Sequence, residues 1–494
     1  MTTKVLALLL SLAGLFCQGT GTAATNTAAS TYYVSPSGSD SNSGLTVSAP
    51  FKTIQKACDT VSPGDTIDIM GGTYNQTFNI TNSGSSSGYI TIKNYDNQRV
   101  VIDGSKMDAA CLIYLNNAQY IKIEGLELCN ATGDWAAGIY VEGSGSHIQI
   151  VDNKIYHIDC DNPGEAGSNP ILIAGTDSVT PISDLVIDGN QVYDCTVGWC
   201  EGISLDGNVS QWEITNNIIH DIGNIGIDAQ GHWGTCADEE TDQARYGLIA
   251  DNTVYNCNSP NEDGTAAGIY IDGAATVTIE RNTVYQTQHG IEVGCENDGY
   301  TADQITVRDN IIYHNSKGGI YIGGYSSEDA GSVTNSSVIN NTCFENDTEY
   351  TETGELSVEK VDHLTVANNI FYSTDQNILM SNWFDSQETA HVTMNYNDWY
   401  CPGGINASQF VWLSEEYSFS GYRSASFQDQ NSLFSKPLFL NETAFDFHPQ
   451  ASSPSINAGN PAYVIIDDEA DLDGNLRISD GRIDCGALEY VTAD

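Results

Sequence analysis

Four carboxylates stand at matching positions of a repeated phrase, Gly-Ile-x-aliphatic-x. The phrase occurs at 202–206, 226–230, 268–272, 290–294 and 319–323, with a related copy at 138–142. Its first variable positions read Tyr140, Ser204, Asp228, Tyr270, Glu292 and Tyr321, and its second read Glu142, Asp206, Gln230, Asp272, Gly294 and Gly323. In a stack of parallel strands these positions become two columns on one face, so Asp206, Asp228, Asp272 and Glu292 fall within a few coils of one another. A diagonal step such as Asp228 to Asp272, or Asp272 to Glu292, spans roughly 8 Å between backbone positions. Carboxyl groups about 6.5–9.5 Å apart suit an inverting glycosidase, and side chains can close the gap to the retaining distance. Asp221, at the preceding corner, is a further carboxylate partner.

Like charges this close raise at least one pKa and create an acid near neutral pH. The same oxygens could cage Ca²⁺, with Glu296 and Asp242 as added ligands if calcium is bound. A merely solvated acidic face is the plain alternative. Trp199, His232, Trp233, Arg245, Tyr270, His289 and Tyr321 lie near the same strands and mix stacking surface with donors, as a sugar site does.

The elements that must hold these residues are short strands with alternating faces, Ile and the second aliphatic pointing one way and the variable positions the other. A second phrase keeps step with the first. Its asparagines are Asn153, Asn190, Asn217, Asn252, Asn282, Asn310, Asn341 and Asn369, each followed by a β-branched or similar residue and an aromatic or His. Such a period marks a solenoid whose coils bury their inward faces by stacking on neighbours. An Asn repeated once per coil can form a side-chain amide ladder and occupy a tight corner. With almost no helical periodicity, the pattern predicts an all-β, right-handed parallel β-helix.

Charge narrows the partners. The chain of 494 residues has 65 acidic against 17 basic side chains, a net charge of −48. Nucleic acid is excluded as a partner, because phosphate binding needs clustered Lys and Arg. A polyanionic glycan would be repelled unless a cation bridged it. Lys4, the apolar run Val5–Phe16 and the small residues Thr22, Ala23 and Ala24 read as a secretion signal, and no later run is long enough to span a bilayer. Of 13 cysteines, Cys17 belongs to that signal, leaving an even number that suits disulfides in an oxidising space. Cys195, Cys200 and Cys236 stand near the candidate site, and bridging among them is expected.

The chain divides into a leader over 1–24, a linker over 25–30, a cap with the first coils over 31–104, the solenoid over 105–440 and a closing segment over 441–494. Within the cap, Tyr32-Tyr33-Val34-Ser35-Pro36, Pro50-Phe51-Lys52-Thr53-Ile54-Gln55-Lys56-Ala57-Cys58, Pro63-Gly64-Asp65 and Gly71-Gly72-Thr73-Tyr74 follow in order. Ile54, Ala57 and Cys58 place a short amphipathic helix there. These phrases resemble the N-terminal cap of secreted β-helix proteins of the pectate-lyase-like superfamily. The stretches at 445–449, 453–461 and 471–475, and Asp480-Gly481-Arg482-Ile483-Asp484-Cys485-Gly486, resemble their closing segment.

That resemblance implies action on glycans but not one chemistry, since the superfamily holds lyases, glycosidases, epimerases and proteins without known catalysis. Calcium-dependent pectate lyases carry a Lys base within a phrase like Gly-Phe-Lys-Leu-Gly-Gly. Here Gly319-Ile320-Tyr321-Ile322-Gly323-Gly324 has Tyr in that place, and Lys317 lies outside the strand. The Asp-Pro-His phrase of alginate-type epimerases is missing. Together these features predict a secreted, monomeric β-helix that hydrolyses a poly- or oligosaccharide with Asp228, Asp272 and Glu292, requiring no cofactor. A Ca²⁺-dependent uronate lyase is the first alternative, and a non-catalytic glycan-binding or surface-structural solenoid the second.

Overall fold

Each coil is cut into three strands by corners that particular residues occupy. The computed structural model describes residues 29–107, 111–261, 264–326, 328–384, 388–465, 469–478 and 481–491. The leader expected over 1–24 lies outside them. One coil comprises Gly145–Val151 in a first sheet, Lys154–Asp159 in a second and Asn169–Gly175 in a third, called here the site sheet. The next coil repeats them in parallel register as Ile182–Asp188, Gln191–Cys195 and Glu201–Gly207. Stacked along the axis, the strands form sheets of 14, 13 and 13. The inward residues alternate as the period of two requires. Ile148, Ile150, Leu185, Ile187, Ile214 and Ile249 are buried in one core that runs from Val34 to Tyr422.

The asparagine ladder is present. Asn252 Oδ1 accepts from Asn217 N at 2.9 Å and from Asn217 Nδ2 at 3.0 Å, while Asn282 Oδ1 accepts the same pair of bonds from Asn252, both at 3.0 Å. The series continues past Asn369 to Asn397. The left-handed corner falls one residue earlier than expected, on Asp152, Asn216, Asp251 and Asn340, with φ of 55°, 56°, 59° and 58°. Short polar side chains tolerate that conformation best, which frees the following Asn to point inward and stack. A second ladder of Thr287, Asn315 and Asn346 ends on Glu355.

At the N-terminal end, α1 (Ile54–Cys58) has Thr53 as its N-cap and buries Ile54, Ala57 and Cys58. At the far end, α2 (Phe419–Ser426) buries Phe419 and Tyr422, and Tyr422 stacks on Phe410 at 4.8 Å. The residues read as a closing segment lie instead along the side of the stack. Phe445 stacks on Tyr313 at 4.7 Å, Ala487 N donates to Thr342 Oγ1 at 3.0 Å, and the buried Arg477 lies 3.4 Å from Asp309 and 3.6 Å from Glu489. No helix among the described residues is long and apolar enough to cross a membrane.

The expected disulfides are corrected. All of the described cysteines are free thiols. Cys195 and Cys257 share a column with Ile222 between them in register. Two strand spacings, about 9.6 Å, exceed the roughly 4.4–6.8 Å between Cα atoms that a bridge needs. Cys200 packs beside Gly167, and Cys236 faces the hydroxyls of Ser178 and Thr241, both at 3.4 Å. Cys195, Cys257 and Cys343 serve as small apolar core residues.

Candidate active site

The two columns form in the register expected from sequence. In the site sheet Ser204 pairs with Asp228, Asp228 with Tyr270, Tyr270 with Glu292 and Glu292 with Tyr321; Gln230 pairs with Asp272 and Asp272 with Gly294. The strands that carry them are Glu201–Gly207, Ile225–Gln230, Ala267–Asp272, His289–Gly294 and Gly318–Ile322. The glycine that opens the phrase is required by space. A Cβ on Gly226 would stand 2.6 Å from Gly268 O, and one on Gly268 would stand 2.4 Å from Val284 Cγ1. At this point the strand turns its Gly toward the core, so the residue before it faces outward. A third column results, containing Asn169, Glu201, Ile225, Ala267 and His289.

That column supplies Glu201, a carboxylate that simple alternation places on the wrong face. The signal for it is an ionisable residue at a position where the next two coils carry Ile225 and Ala267. Glu201 is buried, accepts from Asn169 Nδ2 at 3.2 Å, and feels Asp206 and Asp272. Burial, helped by those charges, pushes its carboxyl up to about 8. Asp228, 2 % exposed, is raised well above the ordinary carboxylate range by burial and by Glu201 and Asp272. Its Oδ2 accepts from Gln230 Nε2 at 2.9 Å, and its Oδ1 is buried without a hydrogen-bond partner among the described residues.

Asp272 is better provided with donors. Trp233 Nε1 reaches its Oδ2 at 2.6 Å and the Glu296 backbone N–H its Oδ1 at 2.7 Å. Burial and Glu296 still lift it to about 7 against those two bonds. Asp206 accepts from Thr235 Oγ1, is raised by burial, and leaves Oδ1 unpartnered among the described residues. Burial and Glu292 raise Glu296. Glu292 accepts from His289 Nδ1 at 2.9 Å, and the His289 ring stacks on Tyr321 at 5.0 Å. Tyr270 fills the space between Asp228 and Glu292, and burial raises its phenol well above the ordinary value. Among the described residues, Glu201, Asp206, Asp228 and Asp272 have no salt-bridge partner.

Other expected residues are engaged in other contacts. Asp221 belongs to the second sheet, bound to His220 Nδ1 at 2.6 Å and to Asn256, beside a separate groove of about 710 Å³. Asp242 pins the loop after the Ile225–Gln230 strand, its oxygens accepting from Gly234 N at 2.6 Å and Cys236 N at 2.8 Å. Arg245 begins a strand of the first sheet and donates to Asn208 Oδ1 at 2.8 Å and Gln243 O at 3.0 Å. His232 stacks on Tyr300 at 4.2 Å, and burial lowers its pKa. Trp199 is exposed on the loop preceding Glu201, its indole tied to Gly164 O at 2.9 Å. The site therefore gathers Glu201, Asp206, Asp228, Asp272, Glu292 and Glu296 with Trp233, Tyr270, His289 and Tyr321.

Comparison with known proteins agrees with this architecture. A family model described as "Pel9A-like, right handed beta helix region" matches residues 32–179, and one described as "Right handed beta helix region" matches 201–371 and 248–409. Pectate lyase PEL9 of Emericella nidulans is 33% identical over 157 residues, 28% of this chain and 37% of that protein. The uncharacterised protein YwoF of Bacillus subtilis (strain 168) is 35% identical over 439 residues, covering 86% of this chain and 91% of YwoF. The chain belongs to the pectate-lyase-like right-handed parallel β-helix family. The solved structure of XylC with xylose superposes with a TM-score of 0.56 at 14% identity, covering 82% of this chain and 86% of that one.

Proposed function

We propose that this β-helix is a secreted, carbohydrate-active enzyme that hydrolyses glycosidic bonds of a neutral poly- or oligosaccharide on the site sheet. The observation that carries the reading is the buried group Glu201, Asp228 and Asp272, raised in pKa and without cationic partners among the described residues. Such a group holds a proton at neutral pH, which is what a general acid needs. Asp272 is the member suited to carry the charge, because two N–H donors stabilise its anion. Asp228, with one oxygen lacking a donor, is suited to carry the proton, which it shares with Glu201. One carboxyl protonates the leaving oxygen while Asp272 activates water or attacks the anomeric carbon. Trp233 holds Asp272 and offers its ring face to a sugar. The net charge of −48 supports a neutral substrate.

An eliminative, calcium-dependent reading draws support from the similarity to PEL9 over part of the chain. The carboxylates are oxygen ligands of the kind Ca²⁺ takes, but among the described residues no three of them bring ligand atoms within 4.8 Å of one another. Among the described residues, the group that brings three ligand atoms within 4.8 Å of one another is Asp362, His363 and His391, on a different sheet. Of the bases elimination would call on, Tyr321 is held neutral by burial, Lys317 donates to Thr265 Oγ1 at 2.9 Å, and His289 is bound to Glu292 at 2.9 Å.

The test is a screen of purified protein on neutral and uronic-acid glycans with and without EDTA, reading reducing ends and the absorbance of unsaturated products. Reducing ends without that absorbance, unaffected by EDTA and lost in Asp228→Asn and Asp272→Asn, are expected. Absorbance abolished by EDTA would replace hydrolysis with elimination. Glycan binding without turnover would make the solenoid a binding protein.

A further inference from the structure

Away from the site sheet, near the C-terminal end of the first sheet, two imidazoles converge on one carboxylate. Asp362 and His363 lie on the Val361–Ala367 strand, and His391 directly follows Ala390, the register partner of Asp362 one coil on. His391 Nδ1 is 2.6 Å and His363 Nδ1 3.0 Å from the same atom, Asp362 Oδ1, and the two rings stack at 4.4 Å. The three side chains are 45%, 58% and 67% exposed.

The position recurs from coil to coil. Gln304, Asn335, His363 and His391 all adopt left-handed backbone, with φ of 59°, 49°, 60° and 48°. Two coils earlier, Asp303 plays the part of Asp362: it accepts from Gln304 Nε2 at 2.8 Å, Thr334 Oγ1 at 2.7 Å and Asn335 Nδ2 at 2.7 Å. Amide and hydroxyl donors there satisfy the carboxylate and can do nothing else. Imidazoles in the same place can release the proton and present a lone pair from the same nitrogen. Both Nδ1 atoms already face one oxygen, so a cation entering among the three would meet all three ligand atoms without turning either ring.

We propose that Asp362, His363 and His391 form a surface site for a borderline transition-metal ion of the Zn²⁺, Ni²⁺ or Cu²⁺ class. Two imidazoles and one carboxylate are the donor set these ions take, and one that Ca²⁺ and Mg²⁺ do not favour. The exposed side leaves room for water to complete the coordination. The ion would tie the Val361–Ala367 strand to the segment that follows Thr389, where the first sheet reaches its last strands.

The experiment is equilibrium dialysis of the full chain against micromolar Zn²⁺ in millimolar Ca²⁺, which occupies non-specific carboxylates, together with thermal melts. Wild type is expected to retain about one Zn²⁺ per chain and to melt higher with Zn²⁺ than without. His363→Gln with His391→Gln keeps hydrogen-bond donors for Asp362, as in the coil of Asp303, so it should fold normally while losing the ion and the shift. Asp362→Asn should weaken Zn²⁺ binding by about tenfold or more. Equal Zn²⁺ retention by wild type and the double Gln variant, or no retention by wild type, overturns the proposal. Neither result bears on glycan hydrolysis, which uses the other sheet.

Discussion

Trp233 Nε1 donates to Asp272 Oδ2 at 2.6 Å, joining the loop after one strand of the site sheet to the carboxylate at the end of the next. The bond favours the ionised form of Asp272 and opposes the burial that lifts it to about 7. An exposed aromatic thereby helps to hold the charge of a buried acid.

Replacing that donor moves a pH limb. A hydrogen bond to a charged group contributes about 1.5–3 kcal/mol, and one pKa unit corresponds to about 1.4 kcal/mol. In Trp233→Phe, the acidic limb of the rate profile, where Asp272 must lose its proton, is expected to shift upward by roughly 1–2 pH units. A pH–rate profile on the substrate found by the glycan screen checks this; an unmoved limb would detach Asp272 from the base role.

Glu201→Gln separates activity from stability. General acid–base groups typically contribute about 10²–10⁴-fold to rate, and a loss in kcat of that order is expected. At pH 9 the same variant should melt higher than wild type, because it removes a carboxylate that burial disfavours once ionised. At pH 4 the two melting points should converge.

The whole chain should grow less stable as pH rises toward 8. Glu201, Asp272 and Asp398 have folded-state values of about 8, about 7 and about 7, all raised first by burial above their ordinary values of 4.5, 3.8 and 3.8. Between the ordinary and raised values the folded state binds more protons than the unfolded one, so stability falls with pH across that window. Below pH 4 the favourable contribution of these groups is fully present, and above pH 8 it is lost. Melting temperatures measured from pH 4 to pH 9 test the sign; a rise through the window would contradict it.

Asn282→Ala should break one rung of the ladder. It strips the acceptor from Asn252 N and Nδ2 and removes the donors to Ile249 O and Asn310 Oδ1. Each buried donor left without a partner costs about 1–3 kcal/mol, so a loss of roughly 2–5 kcal/mol is expected in denaturant melts. Asn216→Ala, at the exposed left-handed corner one residue outside the ladder, gives up its bond to Asp188 Oδ1 and the corner's preference for Asn, so a smaller loss of about 1–2 kcal/mol is expected.

Fold and register were legible because burial admits few choices in a strand. Ile227, Ile269 and Ile291 must face inward, and that alone aligns Asp228 with Tyr270 and Glu292. Glu201 was hidden by the same rule, since counting by twos from Ile203 sends it into the core. The turn at the following Gly, imposed by the approach of the next coil, reverses it. Asp221 misled by nearness in sequence, because the corner between it and Asp228 separates two sheets. The cysteines misled through their number, which says nothing of their columns. The Asp362 group left no motif, since its histidines are a whole coil apart and meet only through stacking.

The tail along the side of the stack changes how the solenoid can come apart. A repeat array contacts only its neighbours and frays from its ends. Here Ala487 N reaches Thr342 Oγ1 across 145 positions and Asn340 Nδ2 reaches Asp484 O across 144. Arg477 lies between Asp309 and Glu489, so the tail clasps several late coils at once. Those late coils therefore gain these partners only when residues 477–489 are in place, which ties the fraying of the stack to the release of its tail.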